Sequence, residues 1–182
     1  MAILLLEDGT IVRDMGAIAD ELFPLGIWLK HFDPGMSLLF PNLAEQDVLT
    51  TEEKQYILEL HDSQFEFLKR QGNYVWSDLL VLHPGSPTLD MVLKTYGRCH
   101  AHTAPEALYM LSGELVIGFV YSDGRQAQLL LQSQDYIHIP HGVEHWSSLT
   151  ASLTVKAVRY FTTADGWVPQ YTGTIFSNFV EK

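Results

Sequence analysis

The chain of 182 residues has one cysteine, Cys99. No disulfide can close within it, and its thiol content gives no sign of an oxidising compartment. Basic residues are also scarce. Eleven Lys and Arg stand against 22 Asp and Glu, for a formal net charge of −11. No Lys/Arg cluster offsets that field, so nucleic acid and anionic membranes are excluded as expected partners. Long apolar runs are missing too. Ile3 to Leu6 ends at Glu7 and Asp8, far too early to span a bilayer, and no basic segment precedes it as in a signal peptide. A cytoplasmic location is the expectation. There is no internal repeat, low-complexity tract or Ser/Pro-rich linker.

Hydrophobic residues make up 47% of the chain and charged residues 18%, a balance that supports a packed core. The length fits one domain, taken as residues 1–182, with a mixed α/β region over 1–75, a barrel over 76–173 and a tail over 174–182. Ala2 to Leu6 reads as a strand, Asp8-Gly9 as a turn, Met15 to Leu22 as a short helix, Gly26 to Phe32 as extended chain and Asp33-Pro34-Gly35 as a turn. A long helix is predicted over about Thr51 to Gln71. Thr50 and Glu53 have capping-box spacing, Ile57, Leu60, Phe65 and Leu68 recur at helical intervals, and Gly72 falls where a left-handed end residue is expected. Its apolar stripe is assigned to packing against the barrel.

From Trp76 the pattern changes to short strands: Trp76–Leu82, Met91–Tyr96, Ala107–Leu111, Glu114–Tyr121, Ala127–Leu131, Tyr136–Ile139 and Leu153–Phe161. Pro84-Gly85, Ser112-Gly113, Asp123-Gly124 and Pro140-His141-Gly142 punctuate them, with Asp123-Gly124 suited to a hairpin turn. Closely spaced short strands predict a jelly-roll barrel, mainly β, with N-terminal α/β elements packed outside.

Histidines carry the chemistry. On a strand, His100 and His102 project from one face, so both imidazoles can enter a barrel. Glu106 follows the turn-like Thr103-Ala104-Pro105, and His145 follows Pro140-His141-Gly142. Three imidazoles and a carboxylate suit Fe, Ni, Mn, Zn or Cu better than Ca or Mg. His138 and His141 are weaker candidates, and His31, His61 and His83 read as structural or surface residues. A His-x-His pair alone is often structural, but the wider spacing is specific. His100-x-His102-x3-Glu106-x6-Gly113 matches the first cupin motif from its first histidine. Pro140-x-Gly142-x2-His145 matches the centre of the second. Lys94, Gln134 and Leu149 replace other motif positions, none of them a ligand.

The segment His100 to Gly173 resembles the acireductone dioxygenase family. The ending Asp165-Gly166-Trp167-Val168-Pro169-Gln170-Tyr171-Thr172-Gly173 is close to that family's C-terminal signature, and Ala157-Val158-Arg159-Tyr160-Phe161 also fits. The resemblance implies a cupin that binds one Fe(2+) or Ni(2+) per chain through His100, His102, Glu106 and His145, with Arg159 in the active site. It implies cleavage by O2 of acireductone, an enediol with a methylthio side chain, within methionine salvage. With iron the implied products are formate and 4-methylthio-2-oxobutanoate. With nickel they are formate, carbon monoxide and 3-methylthiopropanoate. Two family positions differ: an acidic residue is replaced by Cys99 and an arginine by Leu108. Strand alternation suggests Arg98 as a substitute cation beside His100, with a place at the barrel mouth as the alternative, and Trp167 reads either as a packed aromatic that closes the barrel or as a wall of the substrate pocket. The expected partners are a small-molecule substrate and O2, with the chain a monomer. Two alternatives stay open: another metal-dependent cupin enzyme, a different dioxygenase or an isomerase, and a non-catalytic cupin that binds a small ligand.

Overall fold

The computed structural model describes residues 1–32 and 40–176, so the turn expected at Asp33-Pro34-Gly35 lies outside the described residues. In chain order the elements are β1 (Ile3–Leu6), β2 (Ile11–Val12), α1 (Met15–Leu22), β3 (Trp28–His31), α2 (Phe40–Glu45), α3 (Thr51–Leu60), α4 (Asp62–Gly72), β4 (Trp76–Leu82), α5 (Leu89–Tyr96), β5 (His100–Ala101), β6 (Glu106–Gly113), β7 (Leu115–Val120), β8 (Gln126–Leu131), β9 (Asp135–Ile139), β10 (His145–Leu149), β11 (Val155–Phe161) and β12 (Gln170–Tyr171). No described helix is long and apolar enough to cross a membrane.

Two antiparallel sheets form the predicted barrel. One has seven strands in the order β12-β5-β10-β7-β8-β1-β2, the other five in the order β3-β9-β6-β11-β4. Alternation along the five-stranded sheet separates two cores. Leu82, Leu108, Met110, Val155 and Ala157 meet Ile117, Phe119 and Leu129 of the facing sheet. Ala107, Tyr109, Leu111, Val158 and Tyr160 point the other way, against Ile57 and Leu68 of α3 and α4. Helices α3 and α4 therefore pack outside, but the N-terminal strands do not. β1 pairs with β8 and β3 with β9, so each extends a sheet of the barrel. The hairpin at Asp123-Gly124 forms, with Gly124 at φ 87°.

Three local expectations need correction. The long helix is two helices. The Thr50–Glu53 capping box starts it as expected, with Thr50 N–H on Glu53 at 2.8 Å and Glu53 N–H on Thr50 Oγ1 at 3.2 Å. At His61 the ladder breaks. The buried imidazole donates through Nδ1–H to the Ile57 carbonyl at 2.8 Å, taking the acceptor that its own N–H would use in a continuous helix. That N–H turns to Leu58 instead. At the far end Gly72 is still helical, and Asn73 takes the left-handed conformation at φ 58°.

The third correction is the strand expected at Met91–Tyr96, which is helix α5. Leu89, Val92, Leu93 and Tyr96 recur at i, i+3, i+4 and i+7, a helical period hidden by a window opened two residues late. Asp90 in the first turn and Lys94 in the last complement the helix dipole.

Candidate metal centre

The site lies between the two sheets, at the end of the inner core. His100 and His145 come from the seven-stranded sheet, where they are direct cross-strand partners on β5 and β10. Glu106 opens β6 on the facing sheet. β5 is only two residues long, so strand alternation does not extend to His102. Its backbone is tied instead to the second motif's turn, by Gly142 N–H donating to the His102 carbonyl at 2.9 Å.

All four side chains are buried. One ligand atom from each of His100, His102 and His145 lies within 4.8 Å of the other two. An ion with bonds of about 2.0–2.1 Å holds its ligands within about 4.2 Å of one another, so small side-chain adjustments suffice for all three to share one. Glu106 Oε2 is 3.1 Å from His145 Nε2 and 3.3 Å from His102 Nε2.

The backbone orients two of the rings. His100 Nδ1–H donates to the Arg98 carbonyl at 2.6 Å, and His145 Nδ1–H to the Val143 carbonyl at 2.9 Å. A carbonyl only accepts, so each Nδ1 carries a proton; His100 Nε2 keeps its lone pair for the centre, and His145 Nε2 would do so once an ion replaces its hydrogen bond to Glu106. His100 Nε2 is buried without a hydrogen-bond partner among the described residues. Such a group is costly unless something binds it, and a metal ion fits that requirement.

Charge in the cluster is set by burial and by pairing. Burial, then the neighbouring His145, pushes the His100 pKa down to about 4, so its ring is neutral and ready to ligate. Burial works to raise the Glu106 carboxyl. Hydrogen bonds from His102 and His145 outweigh it and hold the group well below the usual carboxylate range. Burial works to lower His145, and the hydrogen bond and charge of Glu106 outweigh it and raise it. A carboxylate anion among imidazoles is a donor set for a divalent transition metal.

A largely apolar cavity opens beside Glu106. Leu80, Leu93, Leu108 and Leu149 line it together with Trp167, Tyr96 and Arg159. Arg159 is the one cation on its wall among the described residues. Leu108 faces this interior, occupying space beside Arg159.

Arg98 does not reach the cavity. Its side chain is exposed and its guanidinium lies over the Tyr171 ring. The expected alternation fails because the strand begins at His100. His138 and His31 are also elsewhere, bonded to Tyr74 and Asp135. Sequence reasoning missed Tyr96 and Asp78. The helical period from Leu89 would have turned Tyr96 inward. Asp78, the one carboxylate on its strand and on the same face as Leu80 and Leu82, calls for a paired cation.

The model of the ARD/ARD' family matches residues 36–169. Along its full length the chain is 61% identical to an acireductone dioxygenase of Trichormus variabilis and 62% identical to one of Nostoc, covering all of each relative. It is 46% identical over 174 residues to an acireductone dioxygenase of Trichodesmium erythraeum, covering 96% of both chains. Among solved structures it is similar to an acireductone dioxygenase from Bacillus anthracis with a cadmium ion in its active centre. There the TM-score is 0.86 and the identity 26%, with 94% of this chain and 98% of the other covered.

Proposed function

The chain belongs to the acireductone dioxygenase family, and we propose that it cleaves acireductone with O2 in methionine salvage, using one Fe(2+) or Ni(2+) held by His100, His102, Glu106 and His145. The observation that carries this reading is the meeting of three buried imidazoles and the Glu106 carboxylate beside a cavity that holds a single arginine. A bound divalent ion would supply Lewis acidity toward an oxygen-chelating substrate and a path for electrons to O2.

The protein's own groups do the rest. Glu106 stays anionic while the imidazoles stay neutral as ligands, so the loaded site keeps a net positive charge. That charge and the Arg159 guanidinium favour an enediolate over a neutral enediol. The leucines of the cavity give the rest of the substrate an apolar surround. Trp167, 7% exposed and with its ring 4.7 Å from Phe161, forms an apolar wall suited to the methylthio end.

The test is turnover of synthetic acireductone by protein reconstituted separately with Fe and with Ni. Formate with 4-methylthio-2-oxobutanoate is expected with iron. Formate, carbon monoxide and 3-methylthiopropanoate are expected with nickel. A second reading, another metal-dependent dioxygenase or an isomerase of this fold, is favoured by Leu108, which leaves the cavity with one cation among the described residues. No turnover with either metal at full occupancy would favour that reading.

A further inference from the structure

Three neighbouring strands put Asp78, Arg159 and Leu108 in one row. Arg159 on β11 is the direct partner of Asp78 on β4 and of Leu108 on β6. Directly opposed residues of antiparallel strands share a face. Here it is the cavity face, which also carries Leu80 and Leu82, two and four residues beyond Asp78. Asp78 grips the guanidinium with both oxygens. Arg159 Nε–H donates to Oδ1 at 2.8 Å and Nη2–H to Oδ2 at 2.5 Å. The rings of Phe161 and Trp167 lie 5.3 and 5.5 Å from the guanidinium carbon. Leu108, on the other side, has no polar atom to offer.

We propose that Asp78 is a positioning residue: it holds the substrate-facing edge of Arg159 at the cavity. The proposal rests on the reading that Arg159 meets the anionic part of the substrate. The guanidinium is planar and rigid, so fixing Nε and Nη2 fixes Nη1 as well. Nη1 makes no hydrogen bond among the described residues and is the edge left for a ligand. Without the fork, a long side chain beside a leucine would spread over several rotamers, and substrate binding would carry the entropy of ordering it.

Asp78 also offsets the charge of Arg159, and the two effects predict opposite signs. Simple charge compensation makes Asp78 a hindrance, so its removal would tighten the binding of an anion. Positioning makes its removal weaken binding. The Arg159 and Asp78 side chains are 20% and 35% exposed, so water and salt screen the Coulombic part. Screening leaves the geometry of the fork intact, and positioning therefore dominates.

The experiment compares metal-reconstituted wild type with Asp78→Ala, Asp78→Asn, Asp78→Glu, Arg159→Met and the Asp78→Ala/Arg159→Met double variant. Acireductone affinity is read twice, as the anaerobic dissociation constant and as KM against kcat, with metal content and Tm as controls. Asp78→Ala should weaken affinity about tenfold, the scale of one lost charge-assisted hydrogen bond, at unchanged metal content. Asp78→Glu should recover part of the loss, and the double variant should bind no worse than Arg159→Met. Tighter binding by Asp78→Asn overturns the proposal in favour of charge compensation. Additive losses in the double variant overturn it in favour of a separate role for Asp78. Wild-type affinity in Asp78→Ala with weakened Arg159→Met removes the proposal alone. Wild-type affinity in Arg159→Met removes the substrate role of Arg159, and the proposal with it. Should Asp78→Ala not fold, Asp78→Asn and Asp78→Glu carry the same comparison.

Discussion

The guanidinium of Arg98 lies 4.0 Å from the centroid of the Tyr171 ring, and this contact clamps the shortest ligand-bearing strand. Tyr171 is the cross-strand partner of His100, and its hydroxyl donates to the Thr95 carbonyl at 3.1 Å. The Arg98 carbonyl accepts from the His100 ring. Tyr171→Ala should therefore loosen the orientation of His100. Partners that orient a ligand are worth about 10- to 100-fold in metal affinity. Tyr171 acts one step further out, so the expected loss is about tenfold or less by chelator competition with Ni(2+). Arg98→Met, by contrast, should leave anaerobic substrate affinity unchanged, because its head group points away from the cavity. A weakened substrate complex in Arg98→Met at full metal occupancy would restore the role that strand alternation first suggested for it.

Removing an imidazole from the centre removes a metal bond. His100→Ala, His102→Ala and His145→Ala should each lose most of the metal on purification, and Glu106→Gln should lose it in part. His61→Gln should stay loaded, since His61 is buried at the junction of α3 and α4 against Tyr109, a residue of the other core. Elemental analysis of the folded variants decides this, and full occupancy in His145→Ala would take that residue out of the site.

Most of the barrel was legible because alternation and turn residues act locally. β4 and α1 match their expected limits, and His100, His102 and His145 lie together in the structure. The failures have three sources: a side chain that captures a backbone carbonyl, a boundary placed one or two residues off, and a contact between residues distant in sequence. The break at His61 depends on a side chain capturing a backbone carbonyl, which no periodicity reports. Arg98 was misplaced because alternation was extended beyond the strand's true start. The Asp78–Arg159 fork joins residues 81 apart in sequence, and only the register of β4 on β11 makes them neighbours.

His61 should make stability depend on pH. Burial lowers its pKa below the ordinary value, against the smaller opposing effect of its hydrogen bond to Ile57. Above about pH 6.5 the ring is neutral in both folded and unfolded chains, and its ionisation costs nothing. As pH falls below that value the unfolded chain takes up a proton that the folded chain refuses. Stability then declines, by at most about 1.4 kcal/mol per pH unit for one proton. His61→Gln, whose amide can still reach the Ile57 carbonyl, should flatten part of this acid limb. Urea unfolding of both metal-loaded proteins between pH 7.5 and about 5 measures the difference, and identical slopes would show that His61 does not titrate with folding.

Gly118 on β7 lies directly across from Trp146 on β10, and a methyl group there has nowhere to go. A Cβ built on Gly118 would stand 2.0 Å from the Trp146 ring. That ring is 1% exposed and stacked on Phe176, so it cannot swing into solvent without displacing that segment. Close packing makes such insertions cost about 1–3 kcal/mol through displaced side chains and backbone. Trp146 follows His145 on β10, so the displacement should reach the metal centre as well. Gly118→Ala is expected to lower Tm and weaken metal retention together, whereas the remote Gly124→Ala should lower Tm through its positive φ and leave metal retention alone. Circular dichroism melts paired with metal analysis separate the two effects, and a Gly118→Ala protein with wild-type Tm would mean that Trp146 has room the packing does not show.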